Sequence, residues 1–450
     1  MKKITFVALA LLSLSAYSQE HFSAISTSKR VGILNGHNNP SEFANLNSKY
    51  EVQLFTFSLD VANNTLGFGD IGGDDFDKLI FEGKKDINFD LNTAIFGPSY
   101  AMRYKKWGFG ISSKAFIKTS IIDFDSQLGD ALINDNINSV TGVENIFSNN
   151  NQRVNATTWG EIGLSVARNV YSKGKHQVNA GVTLKLLFPG SYANLGLNKF
   201  NGDLVETPTD LRLTNTDATL NLAYSGQFGS SFGESGDYFK SIFGGLNGMA
   251  ADIGVDYQLL NEDKTYKLKV GASIRNMGSM TFSGKDNVYE KYSLNIPAGD
   301  PGLNLFEFDE VEGFEDIEAV LASHPEYFDK VSSKKEFDVK LPTVFNFYAD
   351  YQVVRRVSVT AFLQQKMGDD QTDNQLRAQN MFTVTPRVTF GAFEAFLPIG
   401  NNELAGGTLG FGFRLGGFFL GSNSIISAVT SDSKQADFYF GFRFGFRKNQ

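Results

Sequence analysis

Trp107-Gly108-Phe109-Gly110-Ile111-Ser112-Ser113-Lys114-Ala115-Phe116-Ile117-Lys118 changes character at almost every step. Its odd positions are Trp107, Phe109, Ile111, Ser113, Ala115 and Ile117. Its even positions are Gly108, Gly110, Ser112, Lys114, Phe116 and Lys118. A period of two marks an extended strand with two unlike faces. A soluble sandwich strand alternates too, so length decides. The run is about twice the usual five or six residues and suits a tilted crossing of a bilayer.

The pattern recurs along the chain. Ile162, Leu164 and Val166 alternate with Glu161, Gly163 and Ser165, and Val178, Ala180, Val182, Leu184 and Leu186 with Asn179, Gly181, Thr183 and Lys185. It returns at 253–259, 268–274, 345–353 and 357–363. Strands are expected at 50–59, 87–104, 107–122, 156–170, 176–188, 194–204, 211–226, 249–260, 265–276, 342–353, 356–367, 380–397, 405–419 and 436–447. About fourteen strands is an even number, as a bacterial barrel requires. Tight turns fall at 105–106, 171–175, 261–264, 354–355 and 398–402. Long connections fall at 60–86, 123–155, 227–248, 277–341, 368–379 and 420–435. Short turns on one side and long outer loops on the other fit an all-β, antiparallel transmembrane barrel. One short outer connection, at Pro189-Gly190, departs from the rule. In the last strand Phe438, Phe440, Phe442, Phe444 and Phe446 occupy every outward position, with Arg443 facing in.

The first residues point to export. Lys2 and Lys3 precede the apolar run Ile4 to Leu12, and Ala16-Tyr17-Ser18 offers a cleavage site, so residues 1–18 read as a signal peptide. Its removal takes two lysines and no acids, moving the net charge from -8 to -10. That acidity excludes nucleic acid as a partner. The chain has no Cys, which excludes lipoprotein anchoring, disulfides and thiolate metal sites. Composition agrees with a barrel, with 42 Phe, 16 Tyr and 45 Gly against 10 Pro. No apolar run beyond the signal approaches twenty residues, so any crossing must be made by closed strands.

Several short motifs resemble the long-chain fatty-acid transporter superfamily of outer-membrane barrels, which includes the PorV-like proteins. His37-Asn38-Asn39-Pro40-Ser41-Glu42-Phe43-Ala44 resembles the Asn-Pro-Ala motif ahead of that family's first strand, with Ser41 in place of Ala. Ser273-Ile274-Arg275-Asn276-Met277-Gly278 resembles its Asn-x-Gly strand end, and Lys340-Leu341-Pro342 its Leu-Pro strand opening. Gly97-Pro98-Ser99 resembles a group of Bacteroidota outer-membrane barrels. The resemblance implies fourteen strands with an N-terminal segment inside the lumen.

Residues 19–49 hold no clear strand, and a lumen this wide cannot be filled by wall side chains alone. They are expected to form a hatch around Asn38, Asn39 and Pro40, with the barrel over 50–450. A disordered tail is the alternative. Pro98, beside Gly97, interrupts a strand and implies a bulge or a lateral opening; Pro386 is a second such site. Arg387, Arg414 and Arg443 face the lumen on the last strands, and Lys267, Lys269 and Arg275 do so mid-chain. Such cations select anions or pair with the wall, with Asp252, Asp256, Asp350 and Glu161 as partners. The longest loop, 277–341, is acidic, with a short helix expected in 315–328. The four histidines are scattered, no nucleophile elbow or phosphate loop occurs, and neither catalysis nor a cofactor or metal is expected. The leading expectation is a channel for a small hydrophobic solute. The alternative is a non-transporting accessory of an outer-membrane secretion system, with a protein partner. Outer-membrane lipid surrounds the chain in either case.

Overall fold

The computed structural model describes residues 22–68, 80–81, 85–134, 142–207, 209–225, 244–263, 265–309, 311, 313–430 and 433–448. The expected signal peptide and its cleavage site lie outside them, as do Glu310 and Glu312 of the acidic loop.

Fourteen antiparallel strands close into a ring. They are β1 (Ser48–Asn63), β2 (Ile87–Phe96 resumed as Ser99–Tyr104), β3 (Trp107–Phe124), β4 (Asn151–Lys173) and β5 (His176–Glu206). β6 runs as Leu211–Tyr224 and then Gly248–Leu260, and β7 as Tyr266–Ser283 and then Val288–Ile296. β8 comprises Phe328–Lys334, Glu336–Lys340 and Val344–Val354, followed by β9 (Val357–Lys366) and β10 (Met381–Phe390). β11 is Phe393–Phe396 with Ile399–Asn402, and β12 is Gly406–Leu409 with Phe411–Leu415. β13 (Phe418–Ser422) leads to β14 (Gln435–Lys448), which pairs with β1 from Ser48↔Lys448 to Ala62↔Gln435 and closes the ring. Closure leaves no edge, so ladder groups are paired without water.

The alternation becomes two surfaces. Leu164, Val166, Val182, Leu184, Ile253, Val255, Phe347, Phe442 and Phe444 are exposed on the outside, while Lys114, Glu161, Lys185, Asp252 and Asp350 are buried inside. An apolar exterior around a charged interior inverts a soluble fold and suits a bilayer.

The strand count matches the sequence reading, but the partition differs. The stretches 176–188 and 194–204 are one strand, β5. A bulge at Pro189–Ser191 shifts its register against β4, where Thr157 pairs Tyr192 but Trp159 pairs Pro189. The outward phase moves from Leu184 to Leu195, so a Pro-Gly that reads as a turn is a slip within one strand. The stretches 211–226 and 249–260 are two tiers of a single strand, β6, stacked on the upper and lower halves of β5. Conversely, 380–397 and 405–419 each contain a hairpin. Gly391 (φ 56°) and Gly416 (φ 59°) adopt the left-handed backbone that two-residue turns need. Pro398 is no turn but an interruption inside β11.

The upper tiers of β5, β6, β7 and β8, with Val143–Phe147, form a sheet above the ring. Helices α1 (Ser23–Ser26) and α2 (Ile33–Asn38) lie in the lumen, whereas α3 (Ser126–Asn134) and α4 (Phe314–Ser323) cover this upper sheet. Leu128, Phe200, Leu222, Tyr292, Phe314 and Phe328 belong to its separate apolar core. The expected helix in 315–328 is thus α4, and it caps a small outer subdomain. There His324 bonds Glu307 (2.7 Å) and Glu326 (3.1 Å), whose carboxylates raise the imidazole above its ordinary value. A raised folded-state value means this clamp is fully present below about pH 6.5 and is lost as pH rises through the raised value. Hydrogen exchange of 305–327 should therefore quicken with pH beyond the intrinsic rate, and His324→Gln should remove the dependence.

Candidate functional site

The lumen is filled from below by the N-terminal segment. Residues 22–46 are almost wholly buried, running through α1, α2 and a 3-10 turn at Pro40–Asn45. Pro40 fits the first helical position, where no N–H is needed, and the Asn39 side chain caps this turn by accepting from Ser41 N at 3.1 Å. Asn39 Nδ2 also donates to the wall carbonyl of Val255 at 3.0 Å. Asn38 is held by Asn346 Nδ2 (2.9 Å) and by Ser273 Oγ on its carbonyl (2.9 Å). The Asn-Asn-Pro motif is therefore the seat of the segment.

Glycines make room for it. A Cβ on Gly254 would lie 2.0 Å from Asn39 Oδ1, one on Gly181 2.5 Å from the Pro40 carbonyl, and one on Gly108 1.9 Å from the Phe43 carbonyl. The small inward residues of the alternating strands are thus a cast of the segment, and this was the overlooked signal for it. Gly254→Val is expected to unseat Asn39 at a cost of about 1–3 kcal/mol. Protease cleavage within 22–47 reports it. Gly407→Val, whose Cβ meets nothing within 4 Å, is the control.

The luminal charges hold the segment to the wall. Lys269 pairs with Glu42 at 2.7 Å, and Tyr348 donates to the same carboxylate. Arg387 reaches Asp350 (3.5 Å), Thr360, the Ala24 carbonyl and Thr27 Oγ1 (2.6 Å). Arg443 bonds Glu51 (2.6 Å) and the Arg30 carbonyl. Arg414 is buried opposite Glu394 and donates to the Gly416 carbonyl. Lys114, Glu161, Lys185 and Asp252 form a chain of ion pairs at 3.0, 3.7 and 2.9 Å. These cations are consumed by partners, so an anion-selective row is not what the arginines build. Lys267 lies exposed at the rim instead of in the lumen, because the register of β7 on β6 slips between Tyr266 and Leu268.

From above, the connection 367–380 turns into the mouth instead of standing outside as an outer loop. Asn374 to Gln379 are buried. This strap crosses the lumen. Lys340 N donates to the Asn374 carbonyl (2.9 Å) and Leu376 N to the Lys340 carbonyl (3.0 Å), while Arg153 reaches the Asp370 and Gln375 carbonyls. On the far side Arg377 bonds Asn88 (2.7 Å) and Gln379 bonds Asp90 (2.9 Å).

Between segment and strap lies an apolar tier. Phe22, Phe96, Phe116, Trp159, Phe396, Phe419 and Tyr439 are buried together, with Ile25 below and Leu376 above. Phe116 and Trp159 centroids are 4.7 Å apart, and Phe22 stands 5.4 Å from both Phe96 and Tyr439. The Trp159 indole N–H, Thr56 Oγ1, Ser120 Oγ and both amide atoms of Asn155 are buried with no partner among the described residues. Beside this tier the β1–β2 ladder opens. Thr56 pairs Phe96 and Gln53 pairs Ser99, leaving Leu54 and Phe55 opposite Gly97 and Pro98. Gly97 still bonds the Ser113 carbonyl (2.9 Å) on the β3 side, so one seam alone is loosened there. Leu54 and Phe55 are both exposed at this seam. Pro386 accepts from Leu397 N (3.1 Å) beside the second interruption, at Pro398.

A closed fourteen-strand ring, apolar outside, filled from both ends and aromatic between, defines a membrane-spanning β-barrel with a plugged lumen. The chain belongs to a family described as Family of unknown function (DUF5723), whose model matches residues 43–423. No curated protein matches it. Among solved structures it is similar to the Ralstonia pickettii toluene transporter TbuX, with 12% identity, 97% of this chain and 100% of that chain covered, and TM-score 0.44. It is similar to the CymD monoaromatic hydrocarbon channel at 12% identity, 97% and 100% coverage and TM-score 0.44. The P. putida toluene transporter TodX matches at 9% identity, 91% and 93% coverage and TM-score 0.42. With overlap this low, the fold rests on the strand pairing itself. The PorV-like and Bacteroidota likenesses remain resemblances of short motifs.

Proposed function

We propose that the chain is an outer-membrane channel for a small, largely hydrophobic solute. The observation that carries this reading is the aromatic tier enclosed between the N-terminal segment and the strap. A non-transporting accessory could be filled with any packing, whereas a solute site needs apolar walls with a few free polar groups. A single-ring solute burying about 150 Å² would gain at most about 4 kcal/mol, corresponding to a Kd of about 1 mM. Weak holding of this kind lets a solute leave as readily as it enters. The loosened seam at Gly97-Pro98 supports a sideways exit toward lipid. Catalysis plays no part in this reading.

Trp159 makes the test direct, because the sequence has two Trp and the other, Trp107, faces outward. In a Trp107→Phe background, N-phenyl-1-naphthylamine should quench Trp159 saturably, and Phe116→Lys should abolish saturation. Linear, unsaturable quenching in both proteins would remove the solute reading.

A further inference from the structure

The outer wall carries a second feature, on β3 to β8, apart from the β1–β2 seam at Gly97-Pro98. Trp107, Val166, Val170, Val182, Ile253 and Phe345 border an outward groove of about 540 Å³, floored in part by Ala180 and Ala272. The groove slants across β3 to β8. It starts at Trp107, the first residue after the Lys105-Lys106 turn, and rises to Ile274 and Phe345 well inside the wall. Gly181 and Gly254 also line it, and their inner faces carry Pro40 and Asn39. The wall here is only backbone thick.

The lining is apolar except for Arg168 at the low end and Ser273, whose hydroxyl turns inward to the Asn38 carbonyl. Arg168 belongs to the outward row of β4 and stacks on the Trp107 ring, 4.8 Å from its centroid. No carboxylate pairs with it among the described residues. A cation on the lipid face of a barrel is tolerated only near a headgroup layer, and Trp marks that same level. Its guanidinium has fork geometry for a phosphate oxygen pair.

We propose that this groove binds one phospholipid of the periplasmic leaflet, its phosphate on Arg168 and one acyl chain lying diagonally toward Phe345. The match is one of charge and shape together: a single cation at the rim, and an unbroken apolar channel leading away from it. The proposal is independent of what the lumen carries.

The protein is reconstituted in vesicles of phosphatidylethanolamine and phosphatidylglycerol, extracted in mild detergent and weighed intact. Wild type should retain one phospholipid per chain. Arg168→Ala should lower retention about tenfold, with Arg168→Lys partly restoring it. Ala272→Phe, which fills the floor, should lower it comparably while the barrel keeps its folded mobility in detergent gels. Dioleoylglycerol, which lacks phosphate, should not be retained. Equal retention by wild type and Arg168→Ala, equal retention of dioleoylglycerol, a bare wild-type monomer, or a dimer lost on Ala272→Phe would each overturn the proposal.

Discussion

Replacing Arg387 by alanine is expected to release the N-terminal segment while the ring stays closed. Arg387 joins wall to segment at one point, with Asp350 and Thr360 on one side and the Ala24 carbonyl and Thr27 on the other. Removing it leaves Asp350 and Glu394 buried with less compensating charge. Deleting one partner of a buried ion pair costs about 3–5 kcal/mol, because the remaining charge has no water to return to. That loss falls on α1, a single helical turn with little stability of its own. The ring, held by continuous ladders, does not depend on it. Residues 22–47 should become protease-sensitive and single-channel conductance should rise, with the closed ring still resistant to SDS at room temperature. A variant whose N-terminal segment stays as protected as in wild type would show that the seat at Asn38-Asn39-Pro40 suffices alone.

Fixing the strap should have the second large effect. Lys340 and Gln375 face each other in an isolated parallel bridge, and the chain has no Cys of its own. Lys340→Cys with Gln375→Cys therefore places one disulfide across the mouth. If solute passes the strap, access to Trp159 depends on local opening of a short segment held by a handful of hydrogen bonds. Such segments open at far lower free energy than whole domains. Oxidation should slow probe binding at Trp159 by about tenfold or more, since each 1.4 kcal/mol added to the opening cost is tenfold, and reduction should restore it. Unchanged binding in the oxidised protein would mean that solute reaches the tier through the wall, leaving the strap a static filler. The two variants separate the ends of the lumen: Arg387→Ala opens the lower one and the disulfide closes the upper one.

Alternation, the aromatic last strand and the count of crossings were all legible in the residues. A closed barrel has only two environments, so each wall residue records its side. The Asn38-Asn39-Pro40 turn was legible as a seat because Pro and Asn act locally. Where the reading of the wall failed, it failed at phase slips. Pro189-Gly190 looks like a turn, yet the chain continues upward because β4 supplies partners on both sides of the bulge. Gly391 and Gly416 look unremarkable, yet they turn the chain because their strands have partners on returning. Two strands too many in 176–260 were offset by two too few in 380–419, and the total was fourteen for partly the wrong reason.

The destination of each inward side chain was beyond the sequence. Arg387, Arg443 and Lys269 read as luminal cations that either select anions or pair with wall carboxylates. Arg387 does reach Asp350, but the other partners come from residues 24–51, at the far end of the chain. The strap read as an outer loop, since nothing local in 368–379 says that Arg153 and Lys340 will draw it inward. By itself the sequence determined a membrane barrel, because periodicity and turn chemistry act between near neighbours, and it left the hatch at Asn38-Asn39-Pro40 as an expectation beside a disordered tail. Only the tertiary structure decided that the filling leaves an aromatic tier between two plugs, because that depends on which distant surfaces closure brings face to face.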